Sequence, residues 1–375
     1  MAGIYVHIPF CSQACYYCDF HFSTSLKTKN RVINAIKKEL VFQKNYLQSE
    51  SINTIYFGGG TPSLIGVQLL ESVITTIATN FRLAKNLEFT IEANPEDLEK
   101  SKIASWHNIG FNRVSLGVQS FRDQDMQYLN RCHNKKQAIH AIELLQKSKI
   151  KKLNIDLIYG YPGLDNTSWT KNLHYAIAMN IPHISCYCLT VEQQTPLYYF
   201  IKKGKYQKLN SDTGKAQFLI ARDILIQNNY SHYEISNFAK EGYNSLHNQN
   251  YWNKTKYLGV GPSAHSFDGK TRQWNIKNNI KYCQHIENNT CFYKKEELTK
   301  QNLINEYILT SLRTSLGIDV NYVKSEMNTL EYKSFYIEIN KLKRQKFVMM
   351  EDDKIFLTES GMLLADSISE NLFLI

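Results

Sequence analysis

Three cysteines stand close together near the start of the chain, in Cys11-Ser12-Gln13-Ala14-Cys15-Tyr16-Tyr17-Cys18, with spacing C-x3-C-x2-C. Three thiolates on so short a loop can wrap one face of an iron–sulfur cubane. A closed [4Fe–4S] cluster takes four thiolates, so a supply of three leaves one iron with an open position for a small chelating ligand. The competing reading is structural zinc, which prefers two paired C-x2-C units. Cys186 and Cys188 make a poor second half, because a C-x-C pair in a strand points its side chains to opposite faces. Cys132, Cys283 and Cys291 read as ordinary thiols.

These cysteines need a scaffold, and the patterning supplies one. Short apolar runs at Ile4–Ile8, Thr54–Phe57, Leu87–Ala93, Arg113–Val118, Leu153–Ile158 and His183–Leu189 predict strands. Amphipathic stretches at Val32–Tyr46, Gly66–Thr79, Asp97–His107, Lys135–Lys147 and Asn166–Ala178 predict the helices between them. A β-α unit repeated in this way predicts an α/β fold with a parallel sheet covered by helices. Periodicity alone leaves open sheet and barrel undecided.

In a parallel βα barrel the chemistry sits at the C-terminal strand ends, and here those ends are polar or glycine-rich. The cysteine loop follows the first strand and Gly58-Gly59-Gly60-Thr61-Pro62 the second; Glu92 ends the third, Gln119 follows the fourth, and Asp156 lies near the end of the fifth. Glycine lets backbone approach a ligand closely. Glu92 and Asp156 are candidate acceptors for an amine or for ribose hydroxyls, and Arg131 is a candidate partner for a carboxylate. Taken singly, each acid could equally be a helix cap or a surface charge.

Beyond Thr195-Pro196 the pattern changes. Thr213–Gln227 predicts one more helix, and the segment from Tyr230 to about Gln284, rich in Asn, Tyr and His, reads as irregular with short strands. The organisation expected is a barrel over 1–235, a connecting region over 236–300 and a small helical domain over 301–375. The chain of 375 residues carries a net charge of +10. Its N-terminus has no secretory pattern and no apolar run approaches a membrane span, so a cytoplasmic location is expected. The basic excess fits solvated surface, an acidic ligand or an anionic membrane surface. Nucleic acid ranks last, since no matching signature accompanies the charge.

The cysteine spacing, with Tyr17 just before the third thiol, resembles the radical S-adenosylmethionine superfamily. The resemblance implies a partial (β/α)6 barrel in which the cluster's open iron chelates S-adenosylmethionine and reductively cleaves it to a radical. Tyr5-Val6-His7-Ile8-Pro9-Phe10-Cys11, the Gly58–Pro62 turn and Leu116-Gly117-Val118-Gln119-Ser120 look like the oxygen-independent coproporphyrinogen III oxidase branch. That likeness includes the final, winged-helix-like domain. By motif position it implies ligand contacts from Tyr5, Tyr17, Gly59, Gly60, Thr61, Glu92, Gln119, Arg131 and Asp156.

Two departures shift the expectation within that branch. The oxidases carry a further cysteine two positions after the third ligand, where this chain has Phe20, and they have a long N-terminal extension. Both traits resemble the HemW-type haem chaperones instead. So does His247-Asn248-Gln249-Asn250-Tyr251-Trp252, which is similar to their haem-associated H-N-x-x-Y-W pattern. An imidazole can ligate haem iron, and Tyr251 and Trp252 offer flat walls. A satisfied structural histidine is the plain alternative, and His232 and His265 are rival ligands. The expected function is a haem chaperone that delivers haem to cytosolic or membrane-bound acceptors. Coproporphyrinogen III oxidase is the runner-up, and a radical enzyme on another substrate comes third. Peripheral membrane contact and a homodimer stay open.

Overall fold

The computed structural model describes residues 1–374. Six strands, β1 (Ala2–Ile8), β2 (Ile52–Gly59), β3 (Leu83–Ala93), β4 (Arg113–Gln119), β5 (Lys152–Tyr159) and β6 (His183–Cys188), pair in sequence order and all in parallel. The pleat sorts their side chains into two sets. Ile4, Val6 and Ile8 of β1, Ile55 and Phe57 of β2 and Leu153, Ile155 and Leu157 of β5 belong to the main apolar core. The helices Lys29–Phe42, Val67–Asn80, Lys100–Asn108, Lys135–Gln146 and Asn166–Ala178 alternate with the strands. The Lys135–Gln146 helix shows why such segments form. Asn134 and Gln137 close a capping box at its start, and Ala138, Ala141, Ile142 and Leu145 bury one stripe at helical spacing. The result is an α/β partial barrel.

The other face of the strands is polar and buried. Thr54, Glu88, Thr90, Arg113, Asn154 and His183 are each at most 5% exposed. Arg113 reaches Glu88 at 3.7 Å, and Lys152 reaches the same carboxylate at 3.6 Å. A polar interior of this kind needs partners for every group.

The segment read as irregular extends this sheet at both edges. On one side β7 (Ser231–Glu234) and β8 (Asn237–Ala239) add to β6, with β8 antiparallel to it. On the other side β9 (Tyr257–Val260) pairs parallel to β1, followed by β10 (His265–Phe267), β11 (Thr271–Asn275) and β12 (Tyr293–Glu297). These strands were hard to foresee because they are short and pair with distant β1 and β6. The Leu246–Trp252 helix connects the two edges.

The C-terminal region is a distinct unit. Its order is helix Lys300–Leu312, β13 (Ile318–Asp319), helices Val320–Glu326 and Thr329–Arg344, then β14 (Val348–Glu351) and β15 (Lys354–Leu357), with two short helices after them. The three strands form their own sheet, order β13-β15-β14. Ile304, Ile308, Val323, Ile339 and Ile355 belong to a second core. That is a winged-helix-like arrangement. Among the described residues, no helix is long and apolar enough to cross a membrane.

Candidate cluster and ligand site

The loop after β1 is fixed by its backbone. Cys11 N–H donates to the Ser23 carbonyl at 3.1 Å, Ser23 N–H to Pro9 at 2.9 Å, and Tyr16 N–H to Leu129 at 3.3 Å. The Asn130 amide adds a bond to the Ala14 carbonyl at 2.7 Å. Held this way, Cys11, Cys15 and Cys18 all line one cavity of about 560 Å³ at the C-terminal ends of the strands. Among the described residues, no three His, Cys, Asp or Glu groups gather tightly enough to hold a single ion. A cubane asks for something else, one thiolate for each of three separate irons, and three thiols along one wall match that donor set. Burial pushes the Cys11 thiol up to about 11 and the Cys18 thiol up to about 12. The bare thiols therefore stay protonated near neutrality, and a metal must displace those protons to bind.

Arg131 ties the loop to the barrel. Its guanidinium donates to Cys15 Sγ at 3.4 Å, to Asn94 Oδ1 at 2.6 Å and to the Gly117 carbonyl at 3.0 Å. Its Nε is buried with no protein partner, and the residue is part of the cavity wall.

The glycine turn has a different reason from the one the sequence suggested. Gly59 has φ +100°, and a Cβ there would lie 2.3 Å from the His7 ring. A Cβ on Gly60 would lie 2.6 Å from the carbonyl oxygens of Ile8 and Phe10. The missing side chains make room for the end of β1 itself. Gly60 N–H and Thr61 N–H then donate to Ile8 and Phe10, at 2.9 and 2.6 Å. The turn still borders the cavity, with Gly59, Gly60 and Thr61 in its wall.

Two carboxyls face the same space. Glu92 accepts from the Tyr56 hydroxyl at 2.8 Å and from Gly59 N–H at 3.0 Å. Burial pushes it up to about 7 against those two bonds, and the nearby Asp156 charge adds to the rise. Asp156 accepts from Ser115 Oγ at 3.2 Å and Asn154 Nδ2 at 3.3 Å. Burial pushes it up to about 6 while Ser185, Ser115 and Asn154 pull the other way. Gln119, at the end of β4, takes φ +66°, a left-handed conformation that is uncommon for a side-chain-bearing residue. Tyr17 lines the cavity beside the thiols.

Of the residues singled out from the sequence, the cavity thus gathers the three cysteines with Tyr17, Gly59, Gly60, Thr61, Glu92, Gln119, Arg131 and Asp156. It does not include Tyr5, which bonds His7 Nδ1 at 3.0 Å and stacks on Tyr56. Nor does it include His247, Tyr251 or Trp252. His247 is 2% exposed inside the barrel. Its Nδ1 is 2.8 Å from Thr54 Oγ1, its Nε2 is 3.0 Å from the Tyr251 hydroxyl, and its ring stacks on Tyr56 at 4.9 Å. Trp252 lies under the Arg313 guanidinium at 5.6 Å. The sequence reading passed over Asn94, Ser115, Tyr187 and Cys188, all in the cavity wall. A period-2 signal was available for some of these: Asn94 stands two residues after Glu92.

The family model for the radical SAM superfamily matches residues 5–176. The chain is 31% identical to the heme chaperone HemW of Lactococcus lactis, over 99% of this chain and 97% of that protein. It is 33% identical to the heme chaperone HemW of Buchnera aphidicola from Schizaphis graminum, over 89% and 91%. Among solved structures it superposes on coproporphyrinogen III oxidase (HemN) from Escherichia coli with TM-score 0.84, covering 99% of this chain and 90% of that one. At 22% identity, that match speaks for the fold.

Proposed function

The chain belongs to the radical SAM superfamily and is closely related to its HemW/HemN branch, and we propose that it is a haem chaperone. In this reading it binds haem and passes it to haem-dependent acceptor proteins, with a [4Fe–4S] cluster and exchangeable S-adenosylmethionine in the barrel mouth. The observation that carries the proposal is the end-to-end likeness, over 99% of the chain, to a protein named as a haem chaperone. Phe20 supports it. It is 69% exposed beside the cysteine cavity, at the position where the oxidases have a further cysteine.

A three-thiolate cluster, when bound, supplies an open iron for the ligand's amino and carboxylate groups, together with one-electron chemistry. The chain's own residues do the rest. Cys11, Cys15 and Cys18 would hold the cluster. Arg131 ties Cys15 to Asn94 and Gly117, and its positive charge in the cavity wall would favour a carboxylate. Glu92, oriented by Tyr56 and Gly59, would accept from an N–H of the ligand's amino group, and Asp156 from hydroxyls.

A pH dependence follows. An N–H donor bonds an ionised carboxylate more strongly than a protonated one, so S-adenosylmethionine should bind more tightly as the pH rises through about 7, where Glu92 loses its proton. Glu92→Gln should flatten that profile and weaken binding by about 1–3 kcal/mol, the value of a hydrogen bond to a charged group. Equilibrium dialysis of cluster-loaded protein across this range measures both, and an unchanged profile in the variant would assign the amino group to another acceptor.

The functional test uses the reconstituted protein with reductant and S-adenosylmethionine. Offered haem and a haem-free acceptor, it should transfer haem; offered coproporphyrinogen III, it should leave it unchanged. Decarboxylated porphyrinogen in the second arm would establish the oxidase instead.

A further inference from the structure

A second and larger cavity lies beside the first. It has a volume of about 960 Å³ and runs between the end of β6, the Pro196–Lys202 and Ser211–Gln227 helices, and the Met362–Ser367 stretch of the C-terminal unit. Tyr187, Cys188, Leu189 and Thr190 border both cavities, so the groove adjoins the cysteine site. Its walls are largely apolar, with Leu189, Tyr198, Ile201, Phe218 and Met362 among them. Three cations stand in it: Lys208, Lys215 and Arg313. Arg313 is held by Asp366 at 2.6 Å and Lys215 by Asp212 at 3.3 Å. Among the described residues Lys208 has no carboxylate partner within ion-pair distance.

Cys188 is the one thiol in this wall, and it is exposed. On its other side the sulfur packs against the backbone of two glycines. A Cβ on Gly160 would come within 2.9 Å of it, and a Cβ on Gly214 within 3.1 Å. Gly214 lies in the first turn of a helix, where glycine is a poor helix former, so its place there is explained by the sulfur it clears.

Apolar walls, unpaired positive charge and an accessible thiol match one kind of ligand: a flat apolar macrocycle that carries carboxylates and an iron able to take an axial thiolate. Of the rival ligands, His265 is exposed on β10 and lies outside this groove, and the other two are engaged elsewhere. Both ring nitrogens of His247 are engaged inside the barrel. His232 stacks on Phe238 at 4.1 Å and bonds the Ile235 carbonyl at 3.2 Å through Nε2.

Building on the chaperone reading, we propose that haem sits in this groove between barrel and C-terminal unit, with Cys188 as an axial iron ligand and Lys208 and Lys215 receiving the propionates. The test titrates haemin into the cluster-loaded protein under reductant, followed by optical and magnetic circular dichroism spectra. Wild type should show thiolate-ligated haem. Cys188→Ser should lose that signature while keeping its iron–sulfur content and its melting temperature. Lys208→Glu with Lys215→Glu, two exposed changes, should weaken haemin binding severalfold and reduce its salt sensitivity. Should Cys188→Ser fail to fold, the lysine pair carries the test of placement. Wild-type spectra and affinity in both variants would overturn the groove assignment and leave the chaperone reading standing. Failure of wild type to bind haemin at all would remove both.

Discussion

Replacing Cys11, Cys15 and Cys18 together by alanine should abolish the iron–sulfur chromophore of anaerobically prepared protein and leave the barrel folded. The cysteine loop is held by backbone bonds from Cys11, Ser23 and Tyr16 and by Asn130, so that of its ties only the weak 3.4 Å bond from Arg131 to Cys15 Sγ would be lost. The main apolar core lies among the strands and helices. The loss should therefore be of the whole cluster, with melting of the apoprotein changed by less than about 1 kcal/mol, as for partly exposed sites away from the core. Iron and sulfide analysis beside thermal melts checks both halves. Full iron in the triple variant would place the metal on other residues.

The second large effect is at His247. His247→Ala should destabilise the fold by about 2–4 kcal/mol, because a buried ring is removed and the Tyr251 hydroxyl loses its partner. Thr54 keeps a bond from Asn250 at 3.1 Å, which limits the damage. The cost should depend on pH in a defined direction. Burial holds His247 down at about 3, against an ordinary value of 6.5. Between those values the unfolded chain takes up a proton that the folded chain refuses. The stabilisation from neutral His247 is therefore complete above 6.5 and shrinks as the pH falls towards 3. The gap between wild type and His247→Ala, read from denaturant melts, should accordingly narrow in acid. A gap that widens in acid, or a variant as stable as wild type at neutral pH, would mean that the ring is not seated in the barrel floor.

These two sites show where sequence reasoning reached and where it stopped. The β-α repeat was legible because each unit is local: a short apolar run, then a stripe at helical spacing, as in Ala138, Ala141, Ile142 and Leu145; its curving into a barrel was implied only by the family resemblance. The cavity was legible because parallel topology forces successive strand ends together, which brings Glu92 and Asp156 to the cysteine loop. The floor of the barrel was not legible. His247 and Tyr251 lie four apart on one short helix, so their pairing could be guessed, but not that Thr54 and Tyr56 of β2 receive them. That depends on β9 pairing with β1 across some two hundred and fifty residues of chain, a contact with no local signal. The glycine turn was only half legible, for a similar reason. The sequence reveals the glycines but not the neighbour, and only the backbone of Ile8 and Phe10 explains Gly60. Cys188 was set aside because its spacing from Cys186 argued against zinc, and nothing in the sequence placed it between two cavities.

A three-thiolate cluster whose open iron takes S-adenosylmethionine has a direct spectroscopic signature. Reconstituted protein is reduced, and its electron paramagnetic resonance is recorded before and after S-adenosylmethionine is added. The account predicts a [4Fe–4S] signal that changes shape with the ligand, and predicts the same response in Cys188→Ser, whose thiol is no part of the cluster. A signal that S-adenosylmethionine leaves unaltered, or a metal content of zinc with no such signal, would contradict it.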